Sequence, residues 1–317
     1  MNDLSLRPFG DCSKAPPTVT RIQLSDGRLL AFSEYGIPDG KPVFYCHGFP
    51  ASRLEARLLE PAAVKLGLRL ISIDRPGYGL SDFTQNHTLA AWPADLTQLA
   101  KVLGTERFAI LGVSGGGPYA LACAHAIPER LTAAALVGGL GPVFEPWAIK
   151  GQRWHARFGF FLARRARWLL KPLYGIGPPF LMGKYPEIAY SLLTALADDA
   201  DRAVLTRPEI RPPIVASMRE AFRQGARAAM HEFALYANPW GFDLSNIALP
   251  VTLWQGGRDQ VVPPAHARYL AAALPRSDLR LLPNEGHFSL PINYMHEILG
   301  ILGSSLPPFT PSLWSQG

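Results

Sequence analysis

The sequence predicts an α/β fold: a mostly parallel eight-stranded sheet with helices on both faces and an inserted helical domain. From residue 43 onward, short apolar runs alternate with runs of helical length, which is typical of a parallel sheet with covered faces. The alternation stops near residue 142 and resumes near 246, with proline-separated helical runs between. The 317 residues suffice for one large domain with such an insertion.

The first half of the chain supplies six of the eight predicted strands. Residues 18–24 and 28–35 flank Asp26-Gly27, a turn signal typical of a hairpin. Apolar runs then predict strands at 43–46, 68–74, 108–113 and 131–138, and helices at 57–66 and 92–103 and from Pro118 to about 127.

The second half completes the sheet after the insertion. Strands are predicted at 249–254 and 278–282, and helices at 264–274 and near 292–302. The expected organisation is therefore an arm at 1–17, a core at 18–141 and 246–303, a helical lid at 142–245 and a tail at 304–317. A helical block inserted late in such a sheet is expected to cover the carboxyl ends of the strands, where ligands bind.

Composition narrows the classes of partner and compartment. The net charge of +6 is modest and accompanies no nucleic-acid-binding module, so we expect no nucleic-acid partner. The three cysteines, Cys12, Cys46 and Cys123, lack metal-ligand spacing and are expected to be reduced. The amino terminus has no apolar segment typical of a secretory signal, and the apolar window 109–127 contains glycines and a proline. These features favour a cytoplasmic protein.

The segment around Ser114 carries the strongest signal for chemistry. Gly112-Val113-Ser114-Gly115-Gly116 joins a buried strand to a helix, and glycines two residues before and after the serine permit a sharp turn. Such a turn exposes the serine hydroxyl above the sheet. A glycine-rich phosphate loop is the alternative, but neither dinucleotide nor P-loop spacing is present.

A serine nucleophile needs a base and a group that orients the base. Asp259 follows the predicted strand at 249–254 in Gly257-Arg258-Asp259, and His287 follows the last strand in Gly286-His287. The order Ser114, Asp259, His287 resembles that of the α/β-hydrolase arrangement, in which the serine precedes the acid and the histidine comes last.

Other residues remain open for these roles. Glu145, after the strand that follows the elbow, is the second choice for the acid, and Asp243 is a third. His266 and His231 are rivals for the base. Asp259 could instead cap the following helix. His231-Glu232 has no second histidine at the spacing of a zinc protease, so no metal site is expected.

Five motifs in this order resemble the α/β-hydrolase fold superfamily, in its lidded, serine-dependent branch, over about residues 19–303. They are His47-Gly48-Phe49-Pro50, residues 74–82 (Asp-Arg-Pro-Gly-Tyr-Gly-Leu-Ser-Asp), the Ser114 elbow, Gly257-Arg258-Asp259 with Val262-Pro263, and Gly286-His287. The resemblance implies that Ser114 attacks a carbonyl, that His287 is general base and then acid, and that Asp259 orients His287. It also implies an oxyanion hole formed by the backbone N–H groups of Phe49 and Gly115, with no cofactor.

The related dehalogenases and epoxide hydrolases carry aspartate at the elbow, and dienelactone hydrolases carry cysteine. Serine at this position favours hydrolysis of an ester, thioester or amide, or hydrolytic C–C cleavage. His47 is expected to form hydrogen bonds beneath the oxyanion turn, with a catalytic role as the alternative. Arg53 is expected to form a salt bridge to nearby loops, with contact to substrate as the alternative.

The leading hypothesis is a carboxylesterase acting on a small or medium hydrophobic ester beneath an aromatic-lined lid. Alternatives are a C–C hydrolase, a perhydrolase-type enzyme and, outside enzymes, a ligand-binding receptor with little turnover. Residues 150–171 contain seven cations and no acid, interleaved with aromatic residues. They are expected to form a lid helix with its aromatic side toward the pocket, and contact with an anionic membrane is the alternative. Specificity residues and oligomeric state are not assigned.

Overall fold

The computed structural model describes residues 18–145, 147–148, 154–166, 168–169 and 175–305. Within them, one sheet contains β1 (Val19–Gln23), β2 (Leu29–Gly36), β3 (Lys41–Cys46), β4 (Leu68–Ile73), β5 (Phe108–Val113), β6 (Leu131–Val137), β7 (Val251–Gly256) and β8 (Ser277–Leu282). The order across the sheet is β1-β2-β4-β3-β5-β6-β7-β8. The pairs β1–β2 and β2–β4 are antiparallel and the others are parallel. The predicted eight-stranded, mostly parallel sheet is confirmed.

The helices of the core are α1 (Glu60–Lys65), α2 (Trp92–Val102), α3 (Gly117–Ala126), α10 (Ala265–Ala273) and α11 (Ser289–Ser304). Between β6 and β7 lie α4 (Trp154–Arg165), α5 (Gly177–Lys184), α6 (Pro186–Leu196), α7 (Asp199–Leu205), α8 (Arg211–Ala221) and α9 (Arg227–Tyr236). We call α4–α9 the inserted helices. The exact domain boundaries stay predictions.

Alternating side chains of the buried strands pack on opposite faces of the sheet. In β5, Phe108 and Ile110 join a cluster with α2 and α3, whereas Ala109 and Leu111 join one with α1 and α11. Every residue of β5 is buried, as expected for a central parallel strand covered on both sides. This packing on both faces fixes the position of β5, and the candidate site lies at its carboxyl end.

Two predicted helix boundaries differ from the structure. The segment predicted as one helix at 57–66 is a 3₁₀ helix, Arg53–Leu59, followed by α1, with Pro61 in the first turn of α1. The last helix begins at Ser289 instead of 292, because Pro291 also lies in a first turn, where its missing N–H costs nothing. Proline thus marks the starts of these helices.

The expectation of an aromatic-lined lid is wrong for the described residues. Phe158, Phe161 and Trp168 are 43%, 58% and 76% exposed. The buried side of α4 instead carries Leu162 and Ala163, which pack against α9. The inserted helices reach the site through aliphatic and methionine side chains, described below. Contact of residues 150–171 with an anionic membrane stays an untested alternative. Among the described residues no helix is long and apolar enough to cross a bilayer.

The predicted arm at 1–17, with Cys12, and most of the predicted tail lie outside the described residues. Cys46 and Cys123 are free and buried. Burial raises the pKa of Cys46 to about 12, so this thiol stays protonated at neutral pH.

Candidate active site

Ser114 lies directly after β5 at the sharp turn that the sequence predicts. Its φ is +52°, whereas all other positive φ values among the described residues belong to glycine. A non-glycine residue in this region is strained, and such strain is typical of a nucleophile held at the apex of a strand–helix turn.

Close approach of the backbone explains the two outer glycines of the turn. A Cβ atom on Gly112 would lie 2.7 Å from the carbonyl oxygen of Gly116. A Cβ atom on Gly116 would overlap the carbonyl oxygen of Cys46, at the end of β3. Glycine is therefore needed at both positions, because the backbones of β5, α3 and β3 come too close together there to admit a Cβ atom.

The structure brings together the three side chains that the sequence predicts for the triad. His287 Nε2 lies 3.1 Å from Ser114 Oγ, and His287 Nδ1 lies 2.7 Å from Asp259 Oδ2. Each follows a different strand of the parallel sheet, namely β5, β7 or β8, and the carboxyl ends of these strands share one edge. The three side chains form a continuous hydrogen-bonded chain from carboxylate to hydroxyl.

Asp259 is held by its own loop. Its Oδ1 accepts hydrogen bonds from the N–H groups of Val261 and Val262, both at 2.8 Å, and its Oδ2 accepts one from Gln255 Nε2 at 3.2 Å. The residue is 3% exposed. The helix-capping alternative is wrong, because α10 is preceded by Pro264 and has no side-chain capping bond. Asp259 Oδ1 binds the turn at residues 261–262 instead, and Oδ2 faces His287.

Burial and charge act in opposite directions on His287. Burial alone would lower the pKa of the imidazole, but the carboxylates of Asp259, Asp201 and Glu55 together raise it above its ordinary value. The hydrogen bond to Asp259 fixes the tautomer with the proton on Nδ1. The lone pair of Nε2 then faces the Ser114 hydroxyl.

The rival residues lie in other environments. Asp243 caps a short helix by accepting a hydrogen bond from Ser245 N–H. His231 hydrogen-bonds to the His87 carbonyl, and buried His266 bonds to Gly141 and Ala148. Glu145 follows β6 in sequence, but the carboxylate that contacts His287 belongs to Asp259.

The turn after β3 lies against the Ser114 elbow. A Cβ atom on Gly115 would be 2.5 Å from Phe49 Cβ, so the two backbone segments predicted for the oxyanion hole are adjacent. Glu55 supports this turn: its Oε2 accepts hydrogen bonds from Gly48 N–H and from the Tyr45 hydroxyl, both at 2.7 Å. Burial raises the pKa of Glu55.

A second group of contacts binds the same turn from below. His47 is buried, and burial and the Arg75 charge lower its pKa well below the ordinary value, so it is a neutral hydrogen-bonding residue. The buried Arg75 guanidinium donates to the carbonyl oxygens of His47 and Gly48. The expected salt bridge of Arg53 is formed with Asp74 at 2.5 Å and with Glu220 at 2.7 Å.

A cavity of about 440 Å³ opens beside Ser114, between the core and the inserted helices. The inserted helices and the loops between them line it with Met182, Leu193, Leu196, Ile210, Ile214 and Met218. Among the described lining residues, the only charged or titratable side chains besides His287 and Tyr45 are Glu55, Asp198 and Asp201, and none is Lys or Arg. The cavity is apolar with an acidic component.

Sequence reasoning missed three residues beside the triad. Glu55 lies only eight positions after His47, the first residue of the His47-Gly48-Phe49-Pro50 motif. This nearness in sequence could have identified it. Gly138, directly after β6, has a φ of +54°, and a Cβ there would lie 3.3 Å from the His287 ring. Asp201 contacts the backbone of residues 287–289 from α7, and no motif around position 201 points to this contact.

This chain is similar in sequence to known enzymes and in fold to solved structures. A proline iminopeptidase of Neisseria gonorrhoeae is 25% identical over 289 residues, covering 84% of this chain and 89% of that protein. A non-heme chloroperoxidase of Streptomyces lividans is 33% identical over 124 residues, and this match spans 38% of the chain and only 45% of that protein. A solved structure of a thermophilic esterase from Thermogutta terrifontis superposes with a TM-score of 0.67 at 23% identity, covering 92% of this chain and 100% of that one. The family model described as the alpha/beta hydrolase fold matches residues 41–294, and the chain therefore belongs to the α/β-hydrolase fold family.

Proposed function

We propose that this chain is a serine hydrolase that cleaves an uncharged, hydrophobic carboxylic ester through an acyl-enzyme on Ser114. The observation that carries the proposal is the hydrogen-bonded chain from Asp259 through His287 to the Ser114 hydroxyl at the wall of an apolar cavity. Alone, a serine hydroxyl is a weak nucleophile, and a hydrogen-bonded imidazole is the usual activator.

The proposed reaction has two steps, acylation and deacylation of Ser114, and in both of them the proton passes through His287. Ser114 Oγ bonds to the ester carbonyl carbon while its proton moves to His287 Nε2, and Asp259 stabilises the imidazolium. The N–H groups of Phe49 and Gly115 stabilise the oxyanion, each contributing about 3–4 kcal/mol to the transition state. His287 then gives its proton to the departing alcohol. Water, activated by His287, hydrolyses the acyl-enzyme and regenerates Ser114.

The lining of the cavity supports the substrate class. Aliphatic and methionine side chains favour an apolar acyl or alcohol group by burial. The acidic side chains and the lack of Lys or Arg among the described lining residues disfavour an anionic substrate. Glu55 also favours a second candidate, amide hydrolysis of a substrate that carries a protonated amine. The match to a proline iminopeptidase over most of the chain supports the same candidate.

The test is turnover of p-nitrophenyl esters of graded chain length, beside proline p-nitroanilide. We expect sustained multiple turnover of the esters and its loss in Ser114→Ala, with an unchanged melting temperature. Preference for the anilide would favour the amidase candidate. Labelling of Ser114 by a fluorophosphonate without turnover would favour a receptor-type protein, and wild-type activity in Ser114→Ala would contradict the proposal.

A further inference from the structure

Asp201 connects the inserted helices to the segment that carries His287. Its Oδ2 accepts a hydrogen bond from His287 N–H at 3.0 Å, and its Oδ1 accepts bonds from Phe288 N–H at 2.8 Å and Ser289 N–H at 2.9 Å. The side chain lies in α7 and the residue is 5% exposed. One carboxylate thus binds three consecutive backbone N–H groups of the core.

These contacts satisfy the start of α11. The first N–H groups of a helix lack partners within the helix and favour a negative charge. No side chain at the residue preceding α11 caps it, and Asp201 supplies the acceptors instead. Asp198 in turn caps α7 and accepts a hydrogen bond from Asp201 N–H at 3.0 Å, which fixes the position of the carboxylate.

Gly286 shows how closely the carboxylate fits. A Cβ atom on Gly286 would overlap Asp201 Oδ1, and the three atoms nearest to that position all belong to the Asp201 carboxylate. The Gly286 N–H donates to Ser289 Oγ at 2.7 Å. Residues 286–289 are therefore held in two ways: by the Asp201 carboxylate and by the hydrogen bond from Gly286 N–H to Ser289 Oγ.

We propose that Asp201 is a positioning residue, which holds the backbone of His287 so that its imidazole faces Ser114. The inference rests on the proposed function of the triad. On this proposal the inserted helices do two things: they form one wall of the cavity, and through Asp201 in α7 they hold His287 in position. Asp259, Asp201 and Glu55 are the carboxylates whose charges act on His287, and Asp198 is the further charge that acts on Asp201.

The decisive comparison is Asp201→Asn against Asp199→Asn. The amide nitrogen of asparagine must face at least one of the three N–H groups, so at least one of the three hydrogen bonds to residues 287–289 is lost and this segment is held less firmly. We expect kcat for a p-nitrophenyl ester to fall about ten- to hundredfold, because small misplacements of a catalytic group have effects of this size. The His287 pKa, followed by NMR, should also fall. Asp199 lies in the same helix with a side chain 84% exposed, and Asp199→Asn should change kcat less than twofold.

A kcat within twofold of wild type and an unchanged His287 pKa in folded Asp201→Asn would overturn the proposal. If that variant does not fold, Gly286→Ala displaces the same carboxylate from the other side. Its kcat should also fall about ten- to hundredfold, and a kcat within twofold of wild type in folded Gly286→Ala would contradict the proposal. If wild type cleaves no ester, the proposed function fails, while the 15N NMR chemical shift of His287 Nε2, which reports its hydrogen bond to Ser114, still shows whether Asp201→Asn displaces the imidazole.

Discussion

At the scale of single residues, the protonation of His287 controls the proposed reaction. Only the neutral imidazole can accept the Ser114 proton, and nearby carboxylates raise the His287 pKa above the ordinary value of 6.5 despite burial. Protonation therefore inactivates the enzyme at a higher pH than for a free histidine.

We predict that kcat/KM rises with increasing pH as His287 loses its proton, with a midpoint above pH 6.5. Measuring kcat/KM for a neutral ester across pH 5–9 tests this, because such a substrate does not itself titrate. Asp278→Asn removes an exposed carboxylate that is paired with Arg280, and its profile should match that of wild type. A wild-type midpoint below 6.5 would contradict the charge balance described for His287.

The elements around the site differ in how far sequence could predict them. The sheet and the elbow follow from apolar runs and glycines, which are local patterns. The triad positions follow from the motifs after three predicted strands and from the order of serine, aspartate and histidine along the chain. The inserted helices were predicted only as a block, since their mixed composition does not determine which face is buried. The exposed rings of Phe158 and Phe161 show that aromatic content alone does not identify the wall of a cavity.

The elbow gives a prediction at the scale of an element. Gly116→Ala places a methyl group onto the Cys46 carbonyl, so β3 and α3 must separate. We expect loss of ester hydrolysis and a clearly lower melting temperature. The matched control is Gly300→Ala in α11, where a Cβ meets nothing within 4 Å. That variant should be more stable by about 1 kcal/mol and keep full activity, because alanine favours a helix interior. Equal effects of both substitutions would argue against the close-approach explanation.

At the scale of the whole molecule, a buried ion pair unites the inserted helices with the core. Arg75 follows β4, whereas Glu232 lies in α9, and their side chains are 0% and 3% exposed. The hydroxyls of Tyr78 and Tyr119 also donate to Glu232, at 2.9 Å and 2.6 Å. Since Arg75 also donates to the carbonyl oxygens of His47 and Gly48 in the turn after β3, the inserted helices and the edge of the sheet that carries the candidate site should unfold together.

We predict that Glu232→Gln lowers the free energy of unfolding by about 3–5 kcal/mol in a single urea transition at pH 7, since it leaves the buried Arg75 unpaired. Burial alone would raise the pKa of Glu232, but Arg75 lowers it below the usual 4.5. The contribution of this carboxylate to the free energy of unfolding is thus complete above pH 4.5 and is lost as pH falls through the lowered pKa. The difference in the free energy of unfolding between wild type and Glu232→Gln should therefore narrow in acid.

The control is Glu187→Gln, which breaks an exposed pair with Arg211 and should lower the free energy of unfolding by less than about 1 kcal/mol. Separate transitions for the inserted helices and the core, or a small effect of Glu232→Gln, would show that the two parts fold independently.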